Sequence, residues 1–143
     1  MWISTKGKNA IKVMTDLGIY ATGEPIKVKD IARRQDISEK YLEQIIAMLN
    51  KAKLVRSIRG AKGGYMLNLT PAKCTARMIL EAVEGDMSVV ESSGDVHSDN
   101  LTDIISDKLW DKLDEAVHSV LDTTTLADLL EWHESLLMDQ YMI

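Results

Sequence analysis

The sequence predicts a mainly α-helical protein with a small β-hairpin wing: a winged helix-turn-helix domain followed by a long dimerisation helix. Two observations predict this class. Residues 26–69 run from a short helix through the turn Asp36-Ile37-Ser38 into a second helix, and they end in a basic, glycine-rich hairpin. Apolar residues repeat at steps of three and four over residues 101–121, which indicates a separate long helix. The first pattern is the sequence form of a module that reads duplex DNA.

The charge of the chain is divided between its two parts. Residues 1–85 contain 15 Lys and Arg against 8 Asp and Glu, a net charge of +7. Residues 86–143 contain 2 against 14, a net charge of −12, and the two values together give the −5 of the whole chain. Only the first part therefore has the field that attracts a polyphosphate such as DNA.

The first helix is predicted over residues 5–22. Apolar side chains recur there every three to four positions, and Ser4 or Thr5 can cap the start. The stretch Gly23-Glu24-Pro25 ends the helix. Residues 26–28 are short enough to form a single strand or an extended entry into the next helix.

The helix-turn-helix and its hairpin follow. The first helix of the unit is predicted from about residue 29 to 35, and Ser38 suits the N-cap of the second. Two runs rich in β-branched residues, 54–58 and 65–69, flank the loop 60–64 and predict a hairpin. The apolar face of the second helix consists of Tyr41, Leu42, Ile45, Ile46, Met48 and Leu49.

Two further helices are marked by threonine caps. A helix is predicted over residues 76–84 with Thr75 as its cap, after a turn at Thr70-Pro71. The last helix of the chain can start at Thr124 or Thr125. Three regions result: a winged DNA-binding domain (1–85), a linker (86–100) and a helical dimerisation region (101–143).

The long helix is apolar on more than one side, because a second row of apolar residues broadens the first. A helix that projects from a small domain cannot leave such a surface exposed. We therefore predict a homodimer joined through residues 101–122. The interface residues are Ile105, Leu109, Trp110, Leu113, Ala116, Val117 and Val120.

Contacts with base edges are expected at the start and on the outer face of the second helix of the unit. Gln can pair with adenine in bidentate fashion, Lys can donate to guanine, and Glu can accept from a cytosine amino group. The alternative is an ordinary surface helix with side-chain pairs four residues apart, in which Tyr41 belongs half to the core. The predicted contacts are Ser38, Lys40, Tyr41, Glu43 and Gln44.

The hairpin tip carries cations on a glycine-rich backbone. Arg59 and Lys62 on such a tip suit insertion into a narrow minor groove, where the potential is most negative. The alternative is a solvated β-turn. Phosphate contacts fix register without carrying sequence information, and for these we predict Lys6, Lys8, Arg33 and Arg34.

Several classes of protein are disfavoured. No stretch approaches the roughly 18 consecutive apolar residues of a membrane span, and the polar, basic N-terminus predicts that no signal peptide is cleaved. A single cysteine, Cys74, excludes an internal disulfide framework and favours a cytoplasmic location. Cys74 has no neighbouring His in sequence, so an enzyme is disfavoured. A solvated acidic linker is a simpler account of Asp95, His97 and Asp99 than a metal site.

Several motifs together resemble the Rrf2 family of bacterial transcriptional regulators. They include Ser4-Thr5-Lys6-Gly7, Tyr41-Leu42-Glu43-Gln44 and the wing segment from Arg59 to Tyr65, and the resemblance covers nearly the whole chain. Membership implies a homodimer joined through the long helix, a pseudo-palindromic operator and, in most members, repression. It also implies that the selected residues of the second helix lie in the major groove and that Arg59 lies in the minor groove.

The linker departs from part of this family. Members that hold an iron–sulfur cluster place three cysteines there, a thiolate cage suited to a cluster. This linker has none, so the resemblance implies a cluster-free member nearer the CymR branch, and no cofactor is predicted. That branch keeps a second interpretation open, in which the acidic C-terminal half docks a metabolic enzyme. A small-molecule effector is open as well.

Overall fold

A computed structural model describes residues 1–91 and 99–141 of the chain. It confirms the mainly helical class with a two-stranded hairpin. The helices and strands are, in chain order, α1 (Thr5–Ile19), α2 (Val28–Gln35), α3 (Glu39–Lys51), β1 (Val55–Ile58), β2 (Gly64–Leu67), α4 (Ala76–Glu84), α5 (Asn100–Ile105), α6 (Asp111–Thr123) and α7 (Leu126–Tyr141). In the described ranges no helix is both long and apolar enough to cross a membrane.

Side-chain caps fix the starts of five helices, including α5, where Asp99 accepts a hydrogen bond from the Thr102 amide at 2.7 Å. Ser4, Ser38 and Thr75 each accept a hydrogen bond from the amide three residues on, at 3.3, 3.1 and 3.1 Å. At α7 the amide of Thr125 donates to the Asp128 carboxylate at 2.9 Å, and the Asp128 amide donates to the Thr125 hydroxyl at 3.2 Å. This reciprocal pair resembles a capping box. The structure thus selects Ser4 and Thr125 where the sequence left two candidate caps.

The core is built around α1 and includes part of α7. Leu126 is 0% exposed and belongs to the same hydrophobic cluster as the buried faces of α1 to α4. The start of α7 is joined to the segment before α4, because the Ala76 amide donates to the Thr124 carbonyl at 2.8 Å and the Leu126 amide to the Cys74 carbonyl at 2.7 Å. The C-terminal helical region predicted from the sequence therefore does not pack as a unit apart from the winged domain.

The long helix predicted over residues 101–121 is a continuous rod that contains a wider turn. α5 passes into one π-helical turn, Ser106–Trp110, which passes directly into α6. The apolar row begins with Leu101, Ile105, Leu109 and Leu113, at steps of four residues. Each step overshoots a full α-helical turn by about 40°, so the row drifts around the rod. A wider turn takes up part of this drift and keeps the row on one side.

The wing is a hairpin with a third chain segment attached. β1 pairs with β2 in antiparallel register, with Val55 opposite Leu67. Ile26 lies beside β2 and exchanges two hydrogen bonds with Tyr65, at 2.9 and 2.8 Å. The predicted strand or extended entry at 26–28 is thus one bridging residue, after which α2 begins. A Cβ on Gly64 would lie 2.4 Å from the Ile26 carbonyl oxygen, so this crossing requires glycine.

Candidate nucleic-acid interface

The helix-turn-helix consists of α2, a three-residue turn and α3. Asp36 adopts a left-handed conformation with φ of 54°, which lets the chain reverse direction sharply after α2. The Ile37 amide donates to the Ala32 carbonyl at 3.1 Å and closes the turn. Ser38 then caps α3, so local hydrogen bonds hold the turn on both sides.

One face of α3 is buried and the opposite face is exposed. Successive residues of a helix are rotated by about 100°, which places Lys40, Glu43 and Gln44 opposite the buried face. All three are exposed, as is Ser38 at the start of the helix. Tyr41 is half-buried and packs against the core, the position between core and contact that the sequence left open. The buried residues of α3 are Leu42, Ile45, Ile46 and Leu49.

Two further residues lie on this exposed side and were missed in the sequence. Ala47 and Lys51 continue the line that starts at Lys40 and Gln44, and both are exposed. Their spacing of three and four residues was a visible signal. Ala47 has no polar group and Lys51 lies at the end of the helix, so neither residue type stood out. The exposed side of α3 is therefore longer than the predicted set.

The tip of the wing carries the two predicted cations. Arg59 and Lys62 are exposed in the loop between β1 and β2. A hydrogen bond of 2.9 Å from the Gly63 amide to the Gly60 carbonyl closes this loop. Gly60 has φ of 110°, a conformation that side chains rarely allow. The glycines thus give the tip a defined turn that displays the two cations.

Lys27 links the wing to the helix-turn-helix. Its Nζ donates to the carbonyl of Ala61 in the wing loop at 3.2 Å, and Lys27 is also the residue that precedes α2. Together with the bridge at Ile26, this contact sets the position of the wing relative to α2. The sequence pattern indicates only the extended character of this segment, because the partner of Lys27 lies 34 residues further along the chain.

The two adjacent arginines predicted to bind phosphate have different surroundings. The side chain of Arg33 is 76% exposed and forms a loose ion pair with Asp30 at 3.6 Å. Arg34 donates from Nε and Nη2 to the two carboxylate oxygens of Asp16, at 2.9 and 2.8 Å. This hydrogen bonding raises the pKa of Arg34 above its ordinary value. The structure thus turns the Arg34 guanidinium inward, and we remove it from the phosphate contacts.

Lys6 and Lys8 lie in the first turns of α1, where Lys6 is half-buried and Lys8 exposed. The same end of the helix holds an anion of the protein, because the Ser4 amide donates to the Glu84 carboxylate at 3.1 Å and the Ser4 hydroxyl also donates to it. Cations at a helix N-terminus oppose the helix dipole. Glu84 offsets this cost and ties α1 to α4.

The predicted dimerisation row lies open along α5, the π turn and α6. Leu109, Leu113 and Val120 are 51%, 40% and 63% exposed, although each is a large apolar side chain. Ile105, Trp110 and Ala116 are also exposed, and Val117 is half-buried. α6 contains no buried residue. The chain alone therefore leaves this row in water.

Another side of α6 holds the segment that follows α4. The carboxylate of Asp114 accepts a hydrogen bond from the Val89 amide at 2.8 Å. Nε2 of His118 lies 3.1 Å from the Met87 carbonyl oxygen. These contacts attach the rod to the winged domain close to the end of α4. The centre of the predicted linker, residues 92–98, lies outside the described residues.

From Trp132 onward, α7 exposes a further set of apolar side chains, which are not among the predicted dimerisation residues. Only the start of the helix is buried, at Leu126. The exposed residues are Trp132, Leu136, Leu137, Met138 and Tyr141. They alternate with Glu131, Glu134 and Asp139. This end of the chain is therefore both apolar and acidic.

The chain is similar to known transcriptional regulators. A family model described as Rrf2, an iron-dependent transcriptional regulator, matches residues 3–132. The HTH-type transcriptional regulator CymR of Bacillus subtilis is 40% identical over 132 residues, which cover 92% of this chain and 91% of the relative. IscR of Aliivibrio salmonicida is 35% identical over 130 residues, which cover 91% of this chain and 77% of the relative.

Two solved structures show the same fold. The structure of CymR, the global cysteine regulator of B. subtilis, matches with a TM-score of 0.79 at 39% identity, and the match covers 92% of this chain and 98% of that chain. The structure of IscR from T. potens matches with a TM-score of 0.75 at 37% identity, over 95% of this chain and 90% of that chain.

The description of the family model as iron-dependent can be compared with the residues present. Cys74, the one cysteine of the sequence, is 0% exposed, and burial raises the pKa of its thiol to about 11. A protonated, buried thiol is a poor ligand. Within residues 1–91 and 99–141, no three His, Cys, Asp or Glu side chains are grouped to hold a metal. Asp95 and His97 lie outside these ranges. The residues do not fit a cluster held by cysteine thiolates.

Proposed function

The chain belongs to the Rrf2 family of transcriptional regulators, and we propose that this DNA-binding regulator acts as a homodimeric repressor of a pseudo-palindromic operator. The observation that carries the proposal is the exposed polar side of α3. It lies opposite a face buried at four positions, next to a wing that is pinned at Ile26 and Lys27. A helix held in this way can present side chains to base edges in a fixed orientation.

In this proposal α3 enters the major groove, which is about 12 Å wide and admits an α-helix. Gln44 distinguishes adenine by a bidentate contact, and Lys40 donates to guanine. The methyl group of Ala47 suits contact with a thymine methyl group. Ser38, Tyr41 and Glu43 complete the set, with Glu43 accepting from a cytosine amino group.

Arg59 enters the adjacent minor groove, where the potential is most negative and groove width sets the attraction. Cations outside the recognition helix bind phosphates and supply the electrostatic, sequence-independent part of the affinity. These phosphate contacts are Lys6, Lys8, Arg33 and Lys62. Arg34 is left out because its guanidinium is bound to Asp16.

Two copies join through the apolar row on α5 and α6. A two-fold axis covers the same row on both chains at once, and it presents two α3 helices to the two half-sites of an operator. We also propose that the protein works in the cytoplasm and without an iron–sulfur cluster, since its one thiol is buried away from the linker. An effector then acts through some other group.

The test is to map the genomic sites that the protein occupies and to titrate it against the recovered operator. We expect an inverted repeat, and we expect Arg59→Ala to weaken binding. Lys73→Ala is the control, because this exposed lysine lies in the short turn before α4 that packs against α7. Occupied sites without a shared sequence, or equal binding by both variants, would contradict the proposal.

A second candidate function is docking of another protein, such as an enzyme, through α7. The specific observation is the exposed apolar and acidic end of this helix, in a part of the chain that has no Lys or Arg after Lys112. Such a surface suits a partner with a basic rim. Leu136→Glu should then abolish co-purification of that partner and leave operator binding unchanged. A variant that retains every partner removes this candidate.

A further inference from the structure

A buried ion pair joins α1 to the last two residues of α2. The Asp16 carboxylate is 0% exposed and accepts hydrogen bonds from Arg34 Nε, Arg34 Nη2 and Gln35 Nε2, at 2.9, 2.8 and 2.9 Å. The ring of Tyr20 covers the guanidinium, with 3.9 Å between the guanidinium carbon and the ring centre. Each oxygen of the carboxylate is therefore engaged, and the arginine is held from two directions.

The location of this pair in the fold gives it a role beyond packing. Arg34 and Gln35 end α2, Asp36 begins the turn, and α3 starts three residues after that. α2 is short, and its apolar contacts with the core are the buried Ile31 and Ala32 and the half-buried Val28. A bidentate guanidinium–carboxylate pair accepts one geometry, whereas apolar packing tolerates small shifts. The pair thus fixes the end of the helix from which the turn departs.

We propose that Asp16 and Arg34 are positioning residues for operator recognition. They set the direction in which α3 leaves the turn, and they make no contact with DNA. This inference rests on the DNA-binding function proposed above. It also explains why a carboxylate is kept in the basic half of the chain, where its charge alone weakens the attraction for DNA.

The sharpest test compares the same substitution at two ion-paired arginines. Arg34→Lys keeps the charge but loses the bidentate geometry at the turn, whereas Arg77→Lys makes the same change on α4, where the arginine is paired with Glu81 and Asp122. We expect Arg34→Lys to lose roughly tenfold in operator affinity, the size of about one mismatched base pair. Its affinity for random-sequence DNA and its salt dependence should equal those of the wild type. Arg77→Lys should leave both affinities unchanged.

Removal of the negative charge of Asp16 provides an independent test. If charge alone mattered, Asp16→Asn would strengthen binding to every DNA, because the basic half would gain net positive charge. The positioning role predicts the opposite for the operator: weaker binding there, with binding to random-sequence DNA equal or stronger. The measured quantity is the ratio of the two affinities, which a change in overall attraction does not move.

Thermal unfolding of each variant separates positioning from general stability. If Arg34→Lys melts at a lower temperature but discriminates operator from random DNA as the wild type does, the pair serves stability alone and the inference is overturned. If that variant does not fold, Tyr20→Leu replaces it, because Tyr20 is 45% exposed and only covers the guanidinium. We expect a loss of roughly threefold in the ratio, from the cation–π contact. An unchanged ratio for Tyr20→Leu would overturn the inference as well.

The experiment distinguishes this inference from the function on which it rests. A wild-type protein that does not prefer its operator over random DNA contradicts the proposed function, and the inference falls with it. A wild type that discriminates, together with an Arg34→Lys variant that discriminates equally well, overturns only the positioning role. A loss of salt slope in Arg34→Ala by about one unit would show that Arg34 binds a phosphate after all.

Discussion

α3 and α6 are helices of equal length, 13 residues each, that the fold uses in opposite ways. α3 buries four apolar residues and leaves a polar side in water, whereas α6 has no buried residue and leaves an apolar row in water. The chain by itself completes the packing of the first helix and not of the second. This difference supports the proposals that α3 presents side chains to DNA and that α6 forms half of a dimer interface.

The largest expected effect concerns α6, whose apolar row is left in water. Leu109→Glu with Leu113→Glu should give monomers, because four carboxylates would meet across a two-fold interface. Operator affinity should fall by about a hundredfold or more, since two linked half-sites gain this much from effective concentration. Light scattering and an operator titration measure the two effects.

Lys112→Glu is the matched control for this double substitution. It lowers the net charge by the same two units at an exposed position of α6. It should leave both the dimer and most of the affinity intact. A double variant that remains dimeric would show that α6 is not the interface.

The next largest effect concerns α3, whose buried face packs against the core. Gln44→Ala should cost on the order of 1 to 3 kcal/mol at particular operator positions and relax the base preference there. The reason is that a bidentate amide is lost while the buried face of α3 is unchanged. Titration against single-base variants of the operator provides the measurement. An equal loss of affinity for every single-base variant would indicate that Gln44 contacts a phosphate.

The wing should respond in a different way from α3. Arg59→Ala should weaken binding to all sequences and lower the salt slope by about one unit, since roughly 0.9 counterions are released per neutralised phosphate. The slope changes less if the charge acts mainly through the groove potential, but the loss stays broad. Titrations at two or more salt concentrations separate these cases. Near-wild-type affinity on every sequence would show that the wing is a surface turn that does not bind DNA.

The smallest effect concerns the core against which α3 packs. Burial raises the pKa of Cys74 to about 11, so its thiol stays protonated and inaccessible at pH 8. A thiol reagent should label the folded protein at pH 8 hardly at all, and fully after unfolding. Labelling should increase as the pH rises toward 11, because the thiolate appears there. Cys74→Ser should leave operator binding near the wild-type value. Rapid labelling at pH 8 would contradict this description of the core.

Local patterns predicted the elements well. α4 was expected over residues 76–84 with Thr75 as its cap, and it has those bounds, because apolar spacing and a capping hydroxyl are signals within one stretch of chain. The hairpin was predicted for the same reason, since glycines and β-branched runs lie side by side. The exposed polar side of α3 also follows from its periodicity.

Contacts between distant residues were beyond the sequence. Arg33 and Arg34 have the same local signal, and only the carboxylate of Asp16, 18 residues earlier, turns one of them inward. The attachment of Lys27 to the wing and the return of α7 to the core at Leu126 have the same origin. In each case the tertiary packing determines which two residues meet, and the pattern of one segment carries no information on that packing.

A hydroxyl-radical footprint of the protein on its operator tests the central claim most directly, that α3 reads bases while α6 joins two copies. The wild type should protect two equivalent half-sites whose centres lie about 10 base pairs apart, or a multiple of this, with protection of the neighbouring minor groove by the wing. The Leu109 and Leu113 double variant should lose the coupling between the half-sites and protect them only weakly. A single protected segment without two-fold symmetry in the wild type would contradict the account.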